Sequence, residues 1–110
     1  MQVKFYLTAR GSSPVQELIG ALTAGAQAEF FDAVSLLVQG RNLAMPLCPN
    51  LSPVKAGLFE LRLRDSAGPI RILFYVKEGD AIYFLHGFRK KTQQLPAREL
   101  PLGLKRLREV

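Results

Sequence analysis

The chain has 110 residues, of which 48% are hydrophobic, and a formal net charge of +6 at pH 7. This length provides one hydrophobic core, so we expect a single domain over residues 1–110, and the composition excludes a disordered chain. No apolar run approaches the roughly 20 residues of a membrane span. One cysteine and one histidine exclude an intramolecular disulfide and a cysteine-rich zinc site, and we expect no metal, no cofactor and a cytoplasmic location.

The first elements are a predicted strand and a predicted helix. Gln2–Thr8 alternates apolar and polar side chains, as a strand does. Ser13 followed by Pro14, with Gln16 three positions after the serine, indicates a helix start. Serine caps the first turn and proline fits the first helical position. This helix should run from Pro14 to about Leu22.

A second helix is predicted over Gln27–Gln39, after an interruption at Gly25. Its apolar residues recur at the spacing of one helix face, and we expect them to pack on the sheet. They are Phe30, Phe31, Val34, Leu37 and Val38. The next segment, Arg41–Val54, holds three prolines within eight residues and excludes a regular helix or central strand. We interpret it as an ordered loop, in which Cys48 is a small residue without a catalytic role.

Three strand-like runs rich in β-branched and aromatic residues lie within Gly57–Thr92. The runs are Leu58–Arg64, Ile70–Val76 and Ala81–His86. Turn residues separate them, and these connections are too short for the crossovers of a parallel sheet. The sequence therefore predicts an antiparallel meander of three strands.

Alternation along the meander predicts a row of cations with the only histidine on one sheet face. With four-residue loops, Arg62 lies opposite Arg71, and Arg71 lies opposite His86. The same register places Val76 opposite Ala81. We expect the row to lie on the face opposite the second helix. Two guanidinium groups beside an imidazole suit an anion such as a phosphodiester.

The C-terminal part of the chain is basic. Residues 86–110 hold seven basic and two acidic side chains, so +5 of the net charge of +6 lies there. This favours a polyanionic partner, with nucleic acid first, although a solvated basic helix has the same composition. A final helix is predicted from about Pro96, with a kink or a late start near Leu100, because Pro101 lacks a backbone donor.

Four runs carry a resemblance to a known family: Ser13–Val15, Leu58–Arg62, Ile70–Phe74 and Leu85–Thr92. In these runs the chain resembles the small toxins of the RelE/HigB superfamily, specifically the phage-derived HigB-like branch. The resemblance covers almost the whole chain. Its most specific signal is the last run, followed by Pro96 and Glu99.

The resemblance implies an α+β fold. A twisted antiparallel sheet, made of the N-terminal strand and the meander, packs on two N-terminal helices, and a short C-terminal helix follows. It also implies the toxin of a toxin–antitoxin system, an endoribonuclease that depends on the ribosome and cuts mRNA in the A site. The arginine and histidine row suits this chemistry without a metal. The implied partners are mRNA, the ribosome and an antitoxin, usually of the helix-turn-helix type.

The resemblance also suggests roles for individual residues. Arg71 is similar to the family's phosphate-binding arginine, and Arg62 sits where a basic residue acts on the attacking hydroxyl or the phosphate. Lys90 lies near the position at which the family has a basic residue that helps the leaving group. His86 belongs to the phage-derived signature. These four are the expected catalytic residues. The expected RNA-binding residues are Arg64, Tyr75, Phe88, Arg89 and Lys91.

A second interpretation stays open at this point. The same basic face suits a non-catalytic module of phage origin that binds RNA or the ribosome. His86 can equally be a structural histidine at a strand end, and Arg62 and Arg64 can pair with Glu60 and Asp65 on an exposed face.

Overall fold

The computed structural model describes residues 1–41, 48–77, 81–90 and 98–110. It contains three helices and four strands, which confirms the α+β fold and the short C-terminal helix. In chain order they are β1 (Gln2–Phe5), α1 (Pro14–Gly20), α2 (Ala24–Val38), β2 (Leu58–Asp65), β3 (Gly68–Lys77), β4 (Ala81–Arg89) and α3 (Glu99–Leu107). No helix in these ranges is both long and apolar enough to cross a membrane.

The four strands form one sheet in the order β1-β4-β3-β2. β2, β3 and β4 make the predicted antiparallel meander. β1 instead pairs with β4 in parallel, with Val3 opposite Ile82. The sheet is therefore mixed, which corrects the expectation of a wholly antiparallel one. A parallel pair needs a long connection, and the two helices, β2 and β3 lie between β1 and β4 in the chain.

The N-terminal helices begin at side-chain caps. The Ser13 hydroxyl accepts a hydrogen bond from the backbone N–H of Gln16 at 3.3 Å, so α1 starts at Pro14 as predicted. The Thr23 hydroxyl caps α2 in the same way. The helix α2 therefore starts at Ala24, three residues before the predicted start. The Thr23 cap stabilises the first turn by more than the glycine at position 25 destabilises it.

The core lies between α1, α2 and one sheet face, called the helix face here. Phe84 of β4 is at its centre, with ring centroids 5.3–5.5 Å from those of Phe5, Phe30 and Phe74. The predicted stripe of α2 is only partly correct, since Phe30 is 1% exposed but Phe31 is 60% exposed. The buried face of α2 is narrower than the run of apolar residues. It is centred on Ala26, Phe30, Ala33 and Leu37.

Cys48 lies within this core and is 4% exposed. Burial raises the pKa of its thiol to about 11, so the thiol stays protonated at neutral pH. This environment fits the structural role predicted for it. The neighbouring part of the loop is ordered on β2, where Asn50 forms a bridge with Phe59. Residues 42–47 of the predicted loop lie outside the described residues.

The helix α3 packs on the other sheet face, called the outer face here, against β3 and β4. It begins at Glu99, in agreement with the predicted late start, and Pro101 lies in its first turn, where no backbone donor is needed. Gly103 makes the close approach possible. A Cβ atom at this position would lie 2.6 Å from Leu73 Cδ1. The sheet is thus covered by helices on both sides.

An ion pair joins the end of β2 to the end of β4. Arg89 Nη1 and Nη2 donate to Asp65 Oδ1 and Oδ2, each at 2.8 Å. The Asp65 side chain is 2% exposed, and the hydrogen bonds from Arg89 lower its pKa from 3.8 to about 2. The folded state therefore holds this carboxylate ionised to lower pH than the unfolded chain does.

This pair predicts a defined acid sensitivity. The pKa of Asp65 is lower in the folded state than in the unfolded state. Its contribution to the free energy of unfolding is therefore present above about pH 4 and is lost as the pH falls toward 2. We expect the free energy of unfolding of the wild type to fall more steeply than that of Asp65→Asn between about pH 5 and pH 2. Denaturant unfolding at several pH values measures this. Parallel curves for the two proteins would contradict the assignment.

Candidate nucleic-acid interface

Three charged side chains form a cluster on the outer face, called the arginine cluster here: Glu60, Arg62 and Arg71. Arg62 lies directly opposite Arg71 in the β2–β3 pair, as predicted. Arg62 Nε donates to Glu60 Oε1 at 3.1 Å, and Arg71 Nε lies 3.7 Å from the same oxygen. Two cations thus share one carboxylate and leave the cluster with a net positive charge.

Exposure differs across the arginine cluster. The Arg62 side chain is 37% exposed, whereas those of Arg71 and Glu60 are 13% and 7% exposed. The pKa of Arg71 lies below its ordinary value. Burial is the main cause, the charge of Glu60 opposes it, and the charges of Arg62 and Arg64 add to it. Arg71 Nη1 donates to the carbonyl of Ile70 at 3.1 Å, while the buried Nε has no hydrogen-bond partner among the described residues. The Arg71 guanidinium is therefore largely desolvated and lies beside the Glu60 carboxylate.

His86 lies on the outer face between β4 and α3, with both ring nitrogens occupied. Nε2 contacts the Glu99 carboxylate at the start of α3. Nδ1 lies 3.2 Å from Arg106 Nη1, which also donates to the carbonyl of Leu85 at 3.0 Å. Because a guanidinium only donates, Nδ1 is the acceptor and Nε2 carries the proton given to Glu99. The imidazole therefore holds α3 against β4.

The predicted row is correct in its face and wrong in its register. Phe88, not His86, lies opposite Arg71, and His86 lies opposite Leu73. Two offsets explain the difference: Lys77 rather than Val76 lies opposite Ala81, and a bulge separates the pairs Leu73–His86 and Phe74–Phe84. Each offset moves the register by one residue. Together they return His86 to the face of Arg71, two positions from the expected place.

Three other predicted site residues lie near the arginine cluster. Phe88 stacks on His86 with ring centroids 5.6 Å apart. Arg64 is exposed beyond Arg62 on β2, opposite Pro69, and the N–H of Lys90 donates to the Pro69 carbonyl at 3.0 Å. Phe88, Arg64 and Lys90 therefore lie at the same end of the sheet as the arginine cluster.

Two of the predicted residues do not join the arginine cluster. Arg89 lies opposite Ile70 and so belongs to the helix face, where Asp65 binds its guanidinium. Tyr75 shares the outer face but lies four residues along β3 from Arg71, about 13 Å away at 3.3 Å per residue. Lys91 lies outside the described residues.

Sequence analysis did not identify Glu60, Glu99 and Arg106 as site residues. A signal existed for Glu60, because it is the only acid on the cationic face of its strand run. Glu99 and Arg106 come to His86 only through the docking of α3, which strand alternation does not reveal. Over the ranges that the structure covers, no three His, Cys, Asp or Glu side chains converge as for a metal ion.

The fold and the site together define a small α+β protein with a cationic cluster on one sheet face. Residues 17–108 match the model of the family described as phage derived protein Gp49-like (DUF891), and the chain belongs to this family. No curated protein matches the chain.

Proposed function

We propose that this protein is the toxin of a toxin–antitoxin system and cleaves mRNA. The observation that carries the proposal is the arginine cluster, in which Arg62 and Arg71 flank the carboxylate of Glu60 on an outer sheet face. Membership in the Gp49-like family supports it, because Gp49-like proteins are part of the RelE/HigB-type toxin superfamily. The proposed substrate is mRNA in the ribosomal A site, and the proposed inhibitor is an antitoxin of the helix-turn-helix type.

The cluster can perform phosphodiester cleavage by the neighbouring 2′-hydroxyl. The 2′-oxygen attacks phosphorus, and its proton passes to the Glu60 carboxylate. Arg62 and Arg71 bind the non-bridging oxygens and stabilise the charge of the phosphorane. The P–O5′ bond breaks, and the O5′ atom takes a proton from Lys90. The products are a 2′,3′-cyclic phosphate and a 5′-hydroxyl.

His86 has a different place in this proposal from the one predicted. Since Glu99 and Arg106 occupy its ring nitrogens, proton transfer passes to Glu60 and Lys90. His86 then acts as a positioning residue that fixes Phe88 and α3 beside the cluster. Arg64 and Lys91 are proposed to contact RNA phosphates, and Phe88 is proposed to contact a base.

A second candidate function is a basic module that binds RNA or the ribosome without cutting. The internal contacts of His86 and Glu60 favour it, because each contact occupies a group that proton transfer would use. The two candidates share the same cationic face. They differ in whether bound RNA is cleaved.

Product chemistry tests the proposal. With purified ribosomes and a defined mRNA, we expect cleavage that leaves a 2′,3′-cyclic phosphate and a 5′-hydroxyl, because the nucleophile is the 2′-hydroxyl. An mRNA with a single deoxynucleotide at the cut should remain whole, and chelator at a level that preserves the ribosome should not change the rate. Cleavage of the deoxy substrate would exclude this mechanism. Binding without cleavage of either substrate would establish the second candidate.

A further inference from the structure

A cleft of about 490 Å³ opens on the outer face at the opposite end from the arginine cluster. Tyr75 and Tyr83 are cross-strand partners of β3 and β4 and lie side by side in the cleft. Leu104 of α3 lines it as well. A volume of this size is within the range of small-ligand sites.

Both tyrosine rings are held in place by their neighbours. Gly57 has φ +86, and a Cβ atom there would lie 2.9 Å from Tyr75 Cε1, so the backbone packs directly on that ring. The ammonium of Lys4 lies 5.5 Å from the centroid of the Tyr83 ring, within cation–π distance. A ligand that stacks on either ring therefore meets a surface that needs little ordering.

The cleft is also cationic. Lys55 precedes β2, Lys77 ends β3, and Arg108 follows α3, and all three line the cleft. Within the described ranges, none of its lining side chains is acidic. An aromatic floor with cationic walls suits a ligand that has both a flat base and a phosphate. This combination is how proteins bind single-stranded nucleic acid.

We infer that this cleft binds one nucleotide of single-stranded RNA, with its base stacked on Tyr75 and its phosphate at Lys55 and Arg108. The inference rests on the proposed function, because it adds a second contact point for the RNA that the arginine cluster cleaves. Tyr75 and Arg71 share one face about 13 Å apart, which a few nucleotides of extended strand can span. The cleft thus sets where the strand enters or leaves the cleavage site.

Binding of an uncleavable RNA tests this inference. A fluorescein-labelled 2′-O-methyl RNA of about six nucleotides cannot react and is long enough to reach a stacking site. Anisotropy at low salt should show Tyr75→Leu binding about tenfold more weakly than the wild type, because the stacking surface is lost. Tyr75→Phe keeps the ring and should bind as the wild type does. Thermal unfolding of each variant checks its fold.

A charge-matched pair on α3 gives a second measurement that does not depend on Tyr75. Arg108→Gln and Lys105→Gln each remove one positive charge from the same end of the chain, but Lys105 is exposed and does not line the cleft. We expect Arg108→Gln to weaken binding more than Lys105→Gln. A polyglutamate peptide is the competitor, and it should not displace the RNA when its carboxylate concentration equals the phosphate concentration of the RNA.

Several outcomes would overturn the inference. These are no binding by the wild type, equal binding by Arg108→Gln and Lys105→Gln, or Tyr75→Leu that is folded and binds like the wild type. Displacement by polyglutamate would instead assign the cleft to an acidic protein segment. The ribosomal cleavage assay judges the proposed function separately. If the cleft variants cut and bind like the wild type, the proposed function stands and only the assignment of the cleft as an RNA site is contradicted.

Discussion

Replacement of Arg71 by alanine is expected to slow mRNA cleavage by about 100- to 1,000-fold, the usual effect of removing one donor to a developing oxyanion. Arg71 is the most buried cation of the arginine cluster, and its Nε is already desolvated. Its loss therefore removes a preorganised donor that water does not replace. The measurement is the single-turnover cleavage rate on purified ribosomes with a defined mRNA.

Two further variants separate catalysis from charge and folding. Arg64→Ala removes an exposed cation from the same face and should slow cleavage far less. Arg71→Lys keeps the charge but lacks the planar fork of donors, so it should restore only part of the rate. A folded Arg71→Ala protein that cuts as fast as Arg64→Ala would remove Arg71 from the mechanism.

Replacement of Phe30 by alanine is expected to lower the free energy of unfolding by about 3–5 kcal/mol, as for other large-to-small changes in a packed core. The Phe30 ring lies 5.3 Å from that of Phe84 at the centre of the aromatic cluster and is 1% exposed. The cavity left by the ring cannot close fully, because strands and helices fix its walls. Denaturant unfolding, with the midpoint and the slope both fitted, measures the change.

The neighbouring Phe31 supplies the matched control. It has the same side chain on the same helix but is 60% exposed, so Phe31→Ala should change stability by less than about 1 kcal/mol. Equal losses for the two variants would mean that α2 presents a different face to the sheet. The comparison also tests the correction to the predicted stripe.

Sequence patterns predicted the β2–β3 hairpin in detail. The register that places Arg62 opposite Arg71 is confirmed. A short turn between Asp65 and Gly68 sets it, and most of the helix face of this strand pair is buried. With one buried face, a slip of one residue would expose the apolar side chains. The central pair of the arginine cluster was therefore predictable from alternation and turn length together.

The β3–β4 register was not predictable in the same way. Leu85 is the extra residue of the bulge, and it is fully buried like its neighbour Phe84. Adjacent buried apolar residues also occur at Ala81 and Ile82, where there is no bulge, so this break in the period of two does not locate the bulge. The contacts of His86 depend on this bulge and on α3, so its partners could not be predicted from its own strand.

The parallel pairing of β1 with β4 has a consequence for the order in which the chain folds. Residues Gln2–Phe5 are synthesised before the other elements of the domain, but their partners, Ala81–Phe84, follow only after most of the domain has been made. Chains in which contacts join distant residues fold more slowly, because a long loop must close before the contact forms. The edge strand β1 is thus synthesised before the other elements of the domain and is among the last to dock. During synthesis, β1 stays without its partner strand, and Phe5 without the ring of Phe84, until β4 has been made.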